Sequence, residues 1–217
     1  MNDSVTVRPA GPSPRACPVC SQRLDGDRTC RNSLCRDPNR RIERIDAITS
    51  HSGAMQDKIH SYKYDGQAGW SLIFGRLLVR WLEAHAAGGP PDLIVANPTY
   101  VGPGQPGPGH IEAIIRVAAT CSGGRWRFDV RVPAAIIKTE ATERSAGRSF
   151  PEKRIAAAAL REVLKIPDPG RTAGRRILVF DDVCTTGRQL DAVADCLVQE
   201  GRAASVSALV LARAPWR

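Results

Sequence analysis

The chain has 217 residues, enough for one sizeable hydrophobic core and a small appendage. Its apolar content of 42% excludes a disordered chain, and no run approaches the roughly 20 apolar residues a membrane helix needs. Thirty-one basic against 22 acidic residues leave a net charge of +9, which suits a polyanionic partner, either nucleic acid or a small phosphate-rich ligand, and equally a surface serving only solubility.

Residues 1–15 are polar and proline-rich, and disorder is expected there. They lack the apolar segment of a secretory signal, so the expected compartment is the cytoplasm, with no membrane partner. Residues 16–44 contain almost no apolar run and cannot build a core without a staple. CPVCSQRLDGDRTCRNSLC supplies one: Cys17, Cys20, Cys30 and Cys35 follow the spacing C-x2-C-x9-C-x4-C. In a reducing compartment such a cluster reads as a metal site rather than as disulfides. Four thiolates favour tetrahedral Zn²⁺ in a closed, structural site, and the alternative is a set of reduced thiols in a degenerate finger. Arg23, Arg28, Arg31, Arg36, Arg40, Arg41 and Arg44 crowd the same segment. They form a candidate surface for DNA, led by phosphate contacts and non-specific, since residues 1–50 offer no aromatic ring for base stacking. The segment could equally dock on an acidic rim of the chain's own main domain.

From Ile45 onward strands and helices alternate, and residues 45–217 read as one domain. IDAITS (45–50) is a short strand and AMQDKIHSYKYDG (54–66) a helix ending near Gly66. Trp70, Ile73, Phe74, Leu77, Leu78, Trp81 and Leu82 recur at the spacing of one helix face, stopped by Gly88-Gly89-Pro90-Pro91. DLIVANP (92–98) is a buried strand, and the glycine- and proline-dense 101–110 a loop. Ile111, Ile114, Ile115, Ala118 and Ala119 mark the next helix. FDVRV and AAIIK, within 128–138, are strand candidates, 139–149 a polar mobile segment, and 150–164 an alanine-rich helix. RRILVFDD is a strand. Leu190, Val193, Ala194, Leu197 and Val198 lie on a helix that Gly201 ends, and SVSALVLAR (205–213) is the last strand. This order predicts an α/β fold: a parallel twisted sheet with helices on both faces.

The chemistry concentrates in RRILVFDDVCTTGRQL, residues 175–190. A buried strand runs into Asp181 and Asp182, then into small and hydroxyl-bearing residues, then into a helix. Ligands of such sheets bind outside the carboxyl ends of the strands. The first N–H groups of the helix lack intrahelical partners and, with the helix dipole, favour an anion. Thr185 and Thr186 add hydroxyl donors, and Gly187 lets backbone approach a ligand closely. The two carboxylates accept hydrogen bonds and so match vicinal sugar hydroxyls. A ribose held by Asp181 and Asp182, with its 5′-phosphate on the loop, accounts for both features. Simple helix capping needs only one Asp, placed directly before the helix. Cys184 reads as a small side chain filling the loop rather than as an activated thiolate.

VFDDVCTTG resembles the ribose-phosphate loop of type I phosphoribosyltransferases. With the four-cysteine segment, KIHSYKYDG, DLIVANP and a polar stretch carrying Thr142 and Arg154, residues 16–213 resemble the ComF family of competence-related phosphoribosyltransferases. The resemblance implies that Asp181 and Asp182 occupy the catalytic position and face the ribose hydroxyls. It implies that Cys184, Thr185, Thr186, Gly187 and Arg188 surround the 5′-phosphate. Residues from Asn97 to about Gly102 would meet pyrophosphate, and Lys138, Arg144 and Arg148 would belong to a hood that closes over it. The implied ligand is phosphoribosyl pyrophosphate with Mg²⁺, or a nucleotide, and the implied assembly a homodimer. Two departures stand out: Arg188-Gln189 follow Thr-Thr-Gly where the family loop continues Gly then Thr or Ser, and no arginine lies between Tyr100 and His110 where an Arg-Gly-Phe-Asn-Gln run is usual. The alternative reading is a non-catalytic binding module for that ligand or a nucleotide, acting in DNA uptake or processing.

Overall fold

Aliphatic and β-branched runs form the sheet, and helices with one apolar face cover it. The computed structural model describes residues 16–24, 29–85, 89–100, 109–142 and 150–214. In chain order these form β1 (Ile45–Ser50), α1 (Gly53–Tyr64), α2 (Trp70–His85), β2 (Leu93–Ala96), α3 (His110–Cys121) and β3 (Ile137–Lys138). There follow α4 (Phe150–Glu162), β4 (Leu164–Lys165), a short 3₁₀ turn (Pro169–Arg171), β5 (Arg176–Cys184), α5 (Arg188–Gln199) and β6 (Ser205–Arg213).

The main sheet is parallel throughout, in the order β1-β6-β5-β2. Side chains alternate across a strand, so β5 feeds two cores. Ile177 and Val179 pack with Leu160 of α4 and with Leu190, Val193 and Leu197 of α5. Leu178 and Phe180 pack on the other side, with Ile59 of α1, Phe74 and Leu78 of α2 and Ile114 of α3. Both faces are therefore covered, as the strand–helix order predicts. Gly75 lets α2 and α3 approach closely: a Cβ there would lie 2.7 Å from Cγ1 of Val117. The buried face of α2 is Phe74, Leu78, Val79 and Leu82, whereas Ile73, expected on that face, is 43% exposed. Among the described residues no helix is long and apolar enough to cross a membrane.

Three expected elements differ. FDVRV forms no strand: Phe128 makes one isolated parallel bridge to Ile94. AAIIK yields only the two residues of β3, which pair antiparallel with β4 outside the main sheet. Side chains rather than a ladder anchor this region. Asp129 is buried, accepts a hydrogen bond from the Ala135 N–H at 2.6 Å and pairs with Arg171, which also donates to the Pro133 carbonyl. Helix α4 stops at Glu162 because Leu164 turns inward, fully buried, to start β4. The expected disorder of residues 1–15 lies outside the described residues.

Candidate functional site

All four main strands point their carboxyl ends at one cleft of about 890 Å³. His51 follows β1, Asn97 to Tyr100 follow β2, Asp181 to Gly187 close β5, and Ala214 follows β6. The place is the one that parallel sheets reserve for ligands, and the volume suits a small molecule.

Pro98 cannot donate to a ladder, and β2 ends just before it, at Ala96, which pairs with Phe180. Among the described residues, strand β5 runs on unpaired on that side to Cys184. The acid pair thus lies inside a strand whose neighbour has stopped, rather than on the loop after it. Successive side chains leave a strand on opposite faces. Asp182 points to the side of α1 and α3, where its Oδ2 lies 2.6 Å from Nζ of Lys63 and 2.8 Å from Nε2 of His110. Asp181 accepts from Nδ2 of Asn97 at 2.9 Å through Oδ2, and from the Asp182 N–H at 2.9 Å through Oδ1.

These partners separate the two acids. Burial, aided by the neighbouring Asp182 charge, pushes the Asp181 carboxyl up to about 7. Burial also opposes the charge of Asp182, but the hydrogen bond to His110 and the Lys63 ammonium outweigh it and hold that carboxyl below its usual range. Asp182 is thus held in its anionic form, while burial favours the neutral form of Asp181. Oδ1 of Asn97 is buried and finds no partner among the described residues, leaving a free acceptor beside the acids.

Thr185, Thr186 and Gly187 form the loop between β5 and α5 and line the cleft. Gly187 caps α5 in the left-handed conformation, with φ of +82°. A Cβ there would also fall 2.5 Å from Cδ1 of Ile45 and 2.8 Å from Cδ2 of Leu34, both fully buried. Gly187→Ala is expected to cost about 1–3 kcal/mol, read as a lower denaturation midpoint with an unchanged slope. Arg188 turns its guanidinium to the cysteine segment, 2.7 Å from Oδ2 of Asp37 and 3.2 Å from Oγ of Ser33. Its backbone N–H donates to Oγ1 of Thr186 at 3.4 Å, and its side chain serves the contact with the cysteine segment rather than the cleft. Cys184 is buried with Sγ 2.9 Å from Nη1 of Arg213, and burial pushes its thiol up to about 11, consistent with a filling role.

Lys138 lines the same cleft and donates to Oγ1 of Thr142 at 2.6 Å, and burial lowers its pKa. Arg144, Arg148 and residues 101–108 lie outside the described residues, as does Arg28 of the basic segment.

The four cysteines converge: the sulfurs of Cys17, Cys20, Cys30 and Cys35 all lie within 4.8 Å of one another. Cys17 and Cys35 are 3.7 Å apart, and Cys20 and Cys30 3.8 Å. A tetrahedron with Zn–S bonds of 2.3 Å has edges of about 3.8 Å. The donor set and spacing therefore fit a metal such as zinc, bound by all four residues in a closed site.

The segment is not a free-standing knob. Leu34 and Ile42 are buried and belong to the same core as Ile45 and Val193. Asp191 of α5 accepts from the N–H groups of Arg41 and Ile42 at 2.8 and 3.0 Å. Several arginines are engaged within the chain, Arg40 on the Ile42 and Cys35 carbonyls, Arg41 on Asp195 and Arg44 on Asp46.

Lys63 and His110 escape sequence reasoning. Lys63 lies within KIHSYKYDG, in the last turn of α1, and His110 is the first residue of α3, and no spacing ties either to Asp182. Asn32 and Arg213, which hold the loop from behind, give no local signal either. A comparison with protein-family models gave no match to this chain, and neither did a comparison with curated proteins.

Proposed function

We infer that the cleft binds phosphoribosyl pyrophosphate with Mg²⁺ and that the chain is a ComF-type phosphoribosyltransferase. The observation that carries this reading is the placement of Asp181 and Asp182 beside the Thr185–Gly187 loop, at one strand end and in one cleft. Carboxylate acceptors for vicinal hydroxyls then stand next to N–H and hydroxyl donors for a phosphate. In transfer the bond from the anomeric carbon to pyrophosphate would break, pyrophosphate leaving with the electron pair, and an unidentified nitrogen base or amine would form the new bond with its own electron pair, through a cationic, oxocarbenium-like sugar. Mg²⁺ arriving with the pyrophosphate supplies most of the charge neutralisation. The chain positions the ribose, offers Lys63 and Lys138 as cationic neighbours, and keeps Asp182 anionic near the sugar. Zn²⁺ in the four-cysteine site is structural in this reading.

A second reading is a non-catalytic module that binds the same ligand or a nucleotide and meets DNA through its basic segment. The absence of arginine between Tyr100 and His110 favours it, since that stretch follows the strand end where pyrophosphate would lie.

Calorimetric titration of phosphoribosyl pyrophosphate with Mg²⁺ into the wild type and Asp182→Asn tests both, with ribose 5-phosphate as the comparison ligand. The transferase reading expects the pyrophosphate ligand to bind more tightly than ribose 5-phosphate. It also expects the variant to lose about tenfold to a hundredfold in affinity, the size of a hydrogen bond to a charged group. Equal binding of the two ligands would favour the second reading. Binding of neither would remove the ligand assignment of residues 181–188.

A further inference from the structure

Two successive carbonyls of the 185–187 loop are held by side chains that do not line the cleft. The Thr186 carbonyl accepts from Nδ2 of Asn32 at 2.9 Å, and the Thr185 carbonyl accepts from Nη1 of Arg213. Asn32 and Arg213 are both buried, at 2% and 5% exposure. A loop that cradles an anion must keep its carbonyl oxygens away from it and its N–H groups toward it. Arg213 comes from the main sheet. Asn32 comes from the cysteine segment, between Cys30 and Cys35.

The rest of the contact has the same origin. Leu34, the residue before Cys35, abuts Gly187, and Ser33 and Asp37 hold the Arg188 side chain at the start of α5. Oδ1 of Asn32 accepts from the Leu34 N–H at 3.1 Å, which fixes the amide so that its donor faces Thr186. The short connections from Asn32 to Cys30 and Cys35 tie its position to the packing of the four thiols.

We propose that the four-cysteine segment completes the phosphate loop, with Asn32 as the positioning residue, so that metal occupancy of the cysteine site sets affinity for a phosphate ester bound in the cleft. The proposal rests on the phosphate assignment of the 185–188 loop given above. The metal touches no ligand in this arrangement; it acts by holding Asn32 where its amide can turn the Thr186 carbonyl away from the cleft.

The test uses the full zinc-loaded chain, ribose 5-phosphate as the probe, and two variants. Asn32→Ala removes the whole amide. Asn32→Asp retains the acceptor for the Leu34 N–H and puts a carboxylate oxygen in place of the donor to Thr186, so the two variants share only the loss of that donor. Zinc content is measured on each protein, and amide hydrogen exchange is followed at Gly187 and Arg188 without ligand. The expected result is about tenfold weaker ribose 5-phosphate binding in both variants, one hydrogen bond's worth, with zinc retained and exchange at the loop faster. Chelation of zinc from the wild type is expected to weaken binding at least as much. If the wild type binds ribose 5-phosphate and zinc-retaining Asn32→Asp binds it equally well, with unchanged exchange, the coupling is wrong and the phosphate assignment stands. If the zinc-loaded wild type does not bind ribose 5-phosphate, the phosphate assignment fails and the coupling falls with it.

Discussion

Cys20→Ser is expected to abolish metal binding and to cost the whole chain on the order of 3–5 kcal/mol. The reason lies in what the cysteine segment buries. Cys20 is fully buried, and Leu34 and Ile42 of the same segment belong to the core formed under β1 and α5. Sulfurs 3.7 to 3.8 Å apart can all be thiolates only around a cation, because like charges at that separation repel. Without the ion the segment has too little apolar surface of its own to stay ordered. Its release would uncover Leu34 and Ile42, each worth about 1.5–3 kcal/mol of burial, and would free the N–H groups of Arg41 and Ile42 from Asp191. For a chain of this size the loss corresponds to a fall in melting temperature of about 10 °C. Elemental analysis should find one zinc per wild-type chain and none in the variant, and a thermal melt should show the shift. A wild type that melts unchanged after chelation would leave the cluster a set of reduced thiols.

The second large effect has the opposite sign. Asp181→Asn is expected to stabilise the fold at pH 8 while removing ligand binding. Burial raises the folded carboxyl to about 7, against an unfolded value of about 3.9. Between these values the native state holds the proton more firmly than the unfolded chain, so stability falls as pH rises through that window. The penalty is absent below about pH 4 and complete above about pH 7, where it amounts to roughly 2–4 kcal/mol. Asparagine carries no charge to desolvate, and its carbonyl can still accept from the Asp182 N–H. Asp182 behaves in the reverse way: its folded carboxyl is depressed, so its contribution is present above the usual carboxylate range and is lost as pH falls through the lower folded value. Chemical denaturation of wild type and Asp181→Asn from pH 4 to 8 should give curves that separate with rising pH. Parallel curves would show that Asp181 is not held against its charge. A stability gain coupled to lost binding is the pattern of a functional acid kept in an unfavourable setting.

Particular residues show where sequence reading reaches and where it stops. The spacing of Leu190, Val193, Ala194 and Leu197 marks α5 because a helix face repeats within the chain itself. The cysteine spacing marks a metal site for the same reason: its ligands are near neighbours in sequence. FDVRV misleads because its strand-like composition is overruled by the Asp129 pair with Arg171, 42 residues away. The apolar-poor 16–44 segment misleads in the other direction, since Leu34 and Ile42 enter a core whose other members come from the main domain.

The parallel α/β fold, the four clustered cysteines and the acid pair running into Thr-Thr-Gly follow from the sequence by itself, because periodicity, ligand spacing and strand-to-helix turn chemistry are local. Only the tertiary structure decides that Lys63 and His110 fix Asp182 as an anion, that Asn97 faces Asp181, and that Asn32 and Arg213 clamp the loop from behind. Those partners lie between 28 and 154 residues apart along the chain. No local pattern encodes such pairs; the crossovers of the sheet bring them together, and burial then makes each contact strong enough to matter.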